Sequence, residues 1–202
     1  MSAVNSDSTR AGASGVSAAY TIEQSCRFND DDSAYLKRTP GVTGNRRTWT
    51  FSFWVKRSKI TGSANEQIFH ASGGAANDDH LWTQISFNTA DNFQVCGYNT
   101  NWRISTRVFR DPSAWYHFVV AFDSTQAVAA NRLKIYVNGV EETVFGTSNA
   151  VPQNQLTAFN GSGFSQNIGD RDDTTAQFFD GYLADVHMID GAQLAATSFG
   201  ET

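Results

Sequence analysis

Long apolar runs are missing from this sequence, and no stretch approaches the length of a membrane-spanning helix. Cysteine is scarce as well. Cys26 and Cys96 are the only two, far apart and in no metal-ligand spacing. A disulfide between them is possible, but a core of the size this chain can build does not need a staple, so free thiols are the expectation. A basic surplus is also absent. Fifteen Lys and Arg stand against twenty Asp and Glu, for a formal charge of −5. That balance argues against a general nucleic-acid binder, which would carry a basic patch. Residues 1–19 lack the charged-then-apolar order of a signal peptide. A protein that works outside a cell without such a leader can be released by lysis, as virus particles are.

Aromatic side chains are plentiful: 15 Phe, 6 Tyr and 5 Trp, within 40% hydrophobic residues overall. They suit a pleated, half-buried surface and lean the chain towards β-structure. Residues 1–19, rich in Ser, Ala and Gly, show no periodicity and read as an arm with too little apolar surface to order by itself. From residue 20 to 202 the pattern is that of one domain. Short strands are expected at Ser25–Asn29 and Ser33–Lys37, around the turn residues Asp30, Asp31 and Asp32. The strongest strand signal is Thr48–Arg57. There Trp49, Phe51, Phe53 and Val55 alternate with Thr48, Thr50, Ser52, Trp54 and Lys56, a period of two with one buried face.

Further strands are expected at Gln67–His70, Trp82–Phe87, Phe93–Cys96 and Arg103–Thr106. Trp115–Phe122 is apolar on both faces and should be central. Arg132–Val137 and Val140–Phe145 flank Asn138-Gly139, a strong hairpin signal. Phe178–Met188 closes the series, and only Gln193–Thr197 reads as helical, for about a turn. So many strands with so little helix predict an all-β fold, a two-sheet antiparallel β-sandwich of jelly-roll type, with no internal repeat.

Three segments in order carry a family resemblance. Thr50–Lys56 is similar to an early "sxsxWvk" strand. Trp115–Asp123 followed by Leu133–Val140 resembles a "W-h-h-v-v … l-y-v-n-G" hairpin, and Phe179–Val186 resembles a closing "G-x-l-x-d-v-r" strand. Together they resemble the laminin-G-like branch of the concanavalin A-like lectin/glucanase superfamily, over about residues 24–200. Phe28–Leu36, Arg38–Pro40, Asn45–Trp49, Phe109–His117 and Ser198–Glu201 further resemble laminin-G-like modules of bacteriophage fibre and decoration proteins. The resemblance implies a concanavalin A-like jelly roll, glycan recognition, and in some relatives a rim calcium ion.

Catalysis finds little support in the residues. The glucanase pattern E-x-D-x-E, which sets acid and nucleophile on one strand face, is absent. Glu141 and Glu142 are adjacent and would point to opposite faces. His70, His80, His117 and His187 suggest no Ser-base-acid set, and His117 and His187 read as satisfied sheet residues. The chain is therefore expected not to be an enzyme. Calcium would want loop carboxylates such as Asp30, Asp31, Asp32, Asp170, Asp172 and Asp173, yet acidic turns of this kind are commonly just solvated, and no metal or other cofactor is assigned. The same holds for Asn77-Asp78-Asp79-His80, a loop of metal-like composition.

Sugars stack an apolar face on exposed Trp or Tyr while amides bind their hydroxyls. The candidate glycan site is Tyr98, Asn99, Asn101, Trp102 and Arg103, with Trp82 second; the alternative is that Trp102 packs on the sandwich flank or in a subunit contact. The expected role is a non-enzymatic virion structural protein at the particle surface, as decoration, head fibre or tail fibre. It would be oligomeric, anchored to other virion proteins through residues 1–19, and able to adhere to host glycans. The alternative is a stand-alone carbohydrate-binding module.

Overall fold

The computed structural model describes residues 23–60, 62–74, 78–172 and 177–200. The expected arm, residues 1–19, lies outside them. Among the described residues, thirteen strands form two antiparallel sheets. One is six-stranded, ordered β1 (Cys26–Phe28), β13 (Gly181–Asp190), β3 (Thr48–Arg57), β8 (Tyr116–Asp123), β9 (Leu133–Val137) and β10 (Val140–Glu141). The other is seven-stranded: β11 (Phe145–Ser148), β7 (Asn101–Val108), β6 (Asn92–Gly97), β5 (Trp82–Phe87), β4 (Glu66–Ser72), β12 (Ser165–Ile168) and β2 (Leu36–Arg38). The expected all-β sandwich is the observed one. Among the described residues, helix is confined to single 3₁₀ turns at Ala129–Asn131 and Ala196–Ser198.

The period-two reading of β3 holds. Trp49, Phe51, Phe53 and Val55 are buried to within 1% of full exclusion and face the second sheet. Aromatic rings bridge the layers: Phe51 stacks on Phe69 at 4.5 Å, and Phe118 stacks on Phe93 at 4.3 Å. Strand β8 is central, as its two apolar faces imply. Its outer face is covered by the C-terminal segment, where Gln193 Nε2 donates to the Ala121 carbonyl and the Leu194 N–H donates to Thr50 Oγ1. Asn138 and Gly139 both take positive φ (49° and 81°), which the tight hairpin between β9 and β10 requires.

The structure departs from the sequence reading in particular places. The expected strand Val140–Phe145 is broken: β10 ends at Glu141, and the chain crosses to the other sheet to form β11 at Phe145. Glu141 then pairs with Lys134 in one sheet and Glu142 with Arg107 in the other. Strand β12 was not anticipated, because Ser165–Ile168 is short, polar and set among glycines; it exists by pairing on both sides, with β4 and β2. The strands expected around Asp30–Asp32 fall in opposite sheets. Cys26 is exposed in the six-stranded sheet and Cys96 is buried in the seven-stranded one; both are free thiols, and burial pushes Cys96 up to about 12.

At one end of the core the inward face of β3 closes with a charge. Arg57 is 1% exposed and reaches Glu66 (3.0 Å), Asp91 (2.9 Å) and the Phe109 carbonyl (2.6 Å), with its guanidinium over the Phe87 ring at 4.5 Å. Arg110 adds a second bond to Asp91 at 2.7 Å. Burial raises the Glu66 carboxyl to about 7, against the downward pull of Arg57.

Candidate functional site

Alternation along the seven-stranded sheet sends apolar side chains inward and polar ones outward. On its outer face β4, β5 and β6 carry Gln67, His70, Gln84, Ser86 and Gln94, and β12 carries Asn167. None of these is more than 5% exposed. Residues around Asp170–Asp172 and Gln177 lie across them. Gln67 Nε2 donates to Gln84 Oε1 (2.9 Å) and Gln177 Oε1 (2.8 Å), and Gln94 Nε2 donates to Ser86 Oγ (2.9 Å). The Arg171 guanidinium sits 5.2 Å over the Trp82 ring, and Asp172 pairs with Lys37 at 2.7 Å.

At the rim of this face three aromatic rings stand edge to face in a row. His70 meets Trp82 at 5.2 Å and 67°, and Trp82 meets Tyr98 at 6.1 Å and 81°. Tyr98 is 46% exposed, while Trp82 and His70 lie beneath it. Asp79 fixes the neighbouring hairpin, its Oδ1 accepting the Asn99 N–H at 2.7 Å. That approach needs the glycine at 97, since a Cβ there would stand 2.5 Å from the Asp79 carboxyl carbon. Both ring nitrogens of His70 and the Trp82 Nε1 are buried with no hydrogen-bond partner among the described residues. A buried polar group left unmade costs about 1–3 kcal/mol, so these atoms are suited to a water or a ligand hydroxyl.

The sequence-expected glycan residues divide accordingly. Tyr98, Asn99 and Asn101 are exposed together at the rim. Trp82 belongs with them, but as a support: it is 5% exposed and its face is taken by Arg171. Trp102 is a correction. It is the second residue of β7, so alternation turns it inward, where it is fully excluded from solvent and lies 5.7 Å from Phe122. Arg103 is corrected too. It is 6% exposed, donates to the Trp102 and Asn149 carbonyls, and lies over the Phe145 ring. Neither can present a face to a sugar.

His117 is a partnered sheet residue: its Nε2 is 2.9 Å from Ser52 Oγ, and Trp54 stacks on the ring at 4.9 Å. His187 lies near the Phe199 ring, and His80 pairs with Asp78 at 2.8 Å. Of the acidic residues weighed for calcium, Asp30, Asp32, Asp170 and Asp172 have partners within the protein. Asp30 pairs with Lys59 (2.6 Å), Asp32 accepts from Asn29 Nδ2 (2.6 Å), and Asp170 accepts the Arg171 and Asp172 N–H groups. Asp173 lies outside the described residues. Among the described residues no group of three His, Cys, Asp or Glu side chains is placed to hold a metal ion.

The comparisons with known proteins bear on this geometry. Residues 29–197 match the model of a laminin-G-type family described as the concanavalin A-like lectin/glucanases superfamily. The chain belongs to that superfamily. Among curated proteins no sequence relative matches. Domain 4 of an extracellular arabinanase from Geobacillus stearothermophilus, solved with arabinotriose, is similar with a TM-score of 0.55. The identity is 18%, over 79% of this chain and 68% of that one. A heptameric pentraxin from Limulus polyphemus gives 0.53 at 15% identity, over 76% and 68%. A Trypanosoma rangeli sialidase mutant with trans-sialidase activity gives 0.53 at 14% identity, over 76% of this chain but only 22% of the sialidase. At these identities the superfamily likeness is one of fold.

Two burial effects on titration oppose each other. Burial pushes His70 down to about 3 and lowers His117 as well. Their contribution is full above the ordinary histidine range and is lost as the pH falls through it. Glu66 has the reverse sign: with its folded value near 7, stability is lost as the pH rises from about 4.5 to 7. Glu66→Gln should remove that compensation. In urea titrations the variant should lose more stability than the parent between pH 7 and pH 5, and parallel losses would contradict the assignment.

Proposed function

We propose that the chain is a carbohydrate-recognition module whose site is the rim of the seven-stranded sheet at Tyr98, Asn99 and Asn101. The observation that carries this reading is the aromatic row His70–Trp82–Tyr98, which holds an exposed ring rigidly beside amides and above unpartnered N–H and N groups. Sugar rings need that combination: an apolar face to stack on and directional groups for hydroxyls. Rim loops can vary without disturbing the sandwich beneath them. The arabinotriose bound by the similar arabinanase domain is in keeping with the reading. The role proposed is binding without turnover, the E-x-D-x-E pattern being absent.

A glycan array is the direct test. Tyr98→Ala should lower binding to the recognised sugar by about tenfold, in line with about 1–1.5 kcal/mol for an aromatic contact. Unchanged binding by the variant, or no sugar bound by the parent, would remove the proposal.

We further infer that the module is displayed on a virus particle, as a decoration or fibre subunit, a reading supported by the resemblance of Phe28–Leu36 and Phe109–His117 to phage structural modules. Residues 1–19 would then anchor it to other virion proteins, and homo-oligomers would multiply weak sugar contacts. Deleting residues 1–19 should leave a folded protein missing from purified particles. Full occupancy of the truncated form, measured by mass spectrometry, would refute the anchor.

A further inference from the structure

The two sheets part along one side of the sandwich, away from the sugar-binding rim. Between β2 and β12 on one layer and β13 on the other lies a cleft of about 460 Å³, within the size range of small-molecule sites. Its floor is apolar, built from Phe51, Phe69, Ile168, Val186 and Met188. Leu36, 54% exposed, stands at its wall. One polar group in that wall is unexplained. Gln166 is only 8% exposed, and its Nε2 is buried with no hydrogen-bond partner.

The cross-strand register sets a charge beside this orphan donor. Gln166 of β12 is paired with Arg38 of β2, so the two side chains leave the sheet on the same face. Arg38 is exposed, and among the described residues no ion pair engages it. The other cation of the wall, Lys37, is turned to Asp172. The wall's carboxylate, Asp190, already accepts from the Asn45 N–H (2.6 Å) and Asn160 Nδ2 (3.2 Å). An anion is therefore welcomed at Arg38 and Gln166 and repelled at Asp190.

We propose that this cleft binds an amphipathic carboxylate of the fatty-acid type, its alkyl chain between the sheets against Phe51, Phe69 and Met188 and its head group held by Gln166 Nε2 and Arg38. The apolar floor provides affinity through area removed from water. The amide and the guanidinium select the head, because a charge-assisted hydrogen bond is roughly twice as strong as a neutral one.

The test is calorimetric titration of the full chain with decanoate and with decanol, below their aggregation limits. Decanoate should bind saturably at one per chain, and decanol about tenfold more weakly, as expected for one lost bond to a charged group. Gln166→Leu, which removes an amide nitrogen with no partner among the described residues, should fold normally and weaken decanoate about tenfold while sparing decanol. Arg38→Met should do the same. Equal affinity for the acid and the alcohol, or decanoate binding unchanged in both variants, would overturn the proposal. So would the absence of saturable heat, the result expected if another part of the chain or a second copy fills the cleft. Tyr98→Ala should leave decanoate binding unchanged, which keeps this site separate from the sugar rim.

Discussion

Replacing Arg57 by leucine should destabilise the protein by about 3–5 kcal/mol, the usual consequence of breaking a buried charge cluster from one side. The guanidinium is almost wholly excluded from water and bonds to Glu66, Asp91 and the Phe109 carbonyl at once. Leucine fills much of the volume but leaves those acceptors in a region water does not reach. Asp91 would keep Arg110, whereas Glu66, already shifted up to about 7, would have to take a proton. The loss should therefore be larger at pH 8 than at pH 5 in urea titrations. A loss below 1 kcal/mol, or one independent of pH, would mean that the cluster is hydrated and that Arg57 does not bind the sheets together.

Phe118→Ala should be comparably severe, at about 3–5 kcal/mol for a fully buried phenylalanine. This ring is the hub of the inter-sheet packing. It stacks on Phe93 at 4.3 Å and on Phe53 at 5.5 Å, and meets Phe109 and Phe87 edge-on at 5.0 and 5.7 Å. Phe53, Phe87 and Phe93 come from both sheets and are fixed by their own strands, so they cannot collapse into the vacated space. Phe118→Leu should recover part of the loss because it restores most of the volume. If the alanine variant unfolds at the same urea concentration as the parent, the packing described for this core is wrong.

What the residues reveal in advance follows from how local the signal is. Strand β3 was legible because its alternation runs unbroken over ten residues, and the β9–β10 hairpin because Asn138-Gly139 encodes a backbone shape. Strand β12 was not, since nothing in Ser-Gln-Asn-Ile separates it from a loop; only β4 and β2 on either side make it a strand. The burial of Arg57 at the end of β3 depends on Glu66, 9 residues on, and Asp91, 34 residues on, and no alternation within β3 expresses it.

The candidate site was half legible for the same reason. Tyr98 and its amide neighbours sit in a turn whose exposure the local sequence expresses. Trp102 and Arg103 are separated from that turn only by where β7 begins, and one residue of strand reverses a side chain's direction. His70 went unassigned, although the outward alternation of Gln67, His70, Gln84, Ser86 and Gln94 was present in the sequence as a signal of a polar sheet face.

The strand order has a consequence for how the molecule comes into being. Among the described residues the first strand, β1, pairs only with the last, β13, and β2 pairs only with β12. Neither sheet can close until β12 and β13 have left the ribosome, so closure of the sandwich is a late event dominated by distant contacts. Nascent chains will hold the Thr48–Arg57 segment without its β13 neighbour throughout that interval, and that segment is where premature association with other chains would begin.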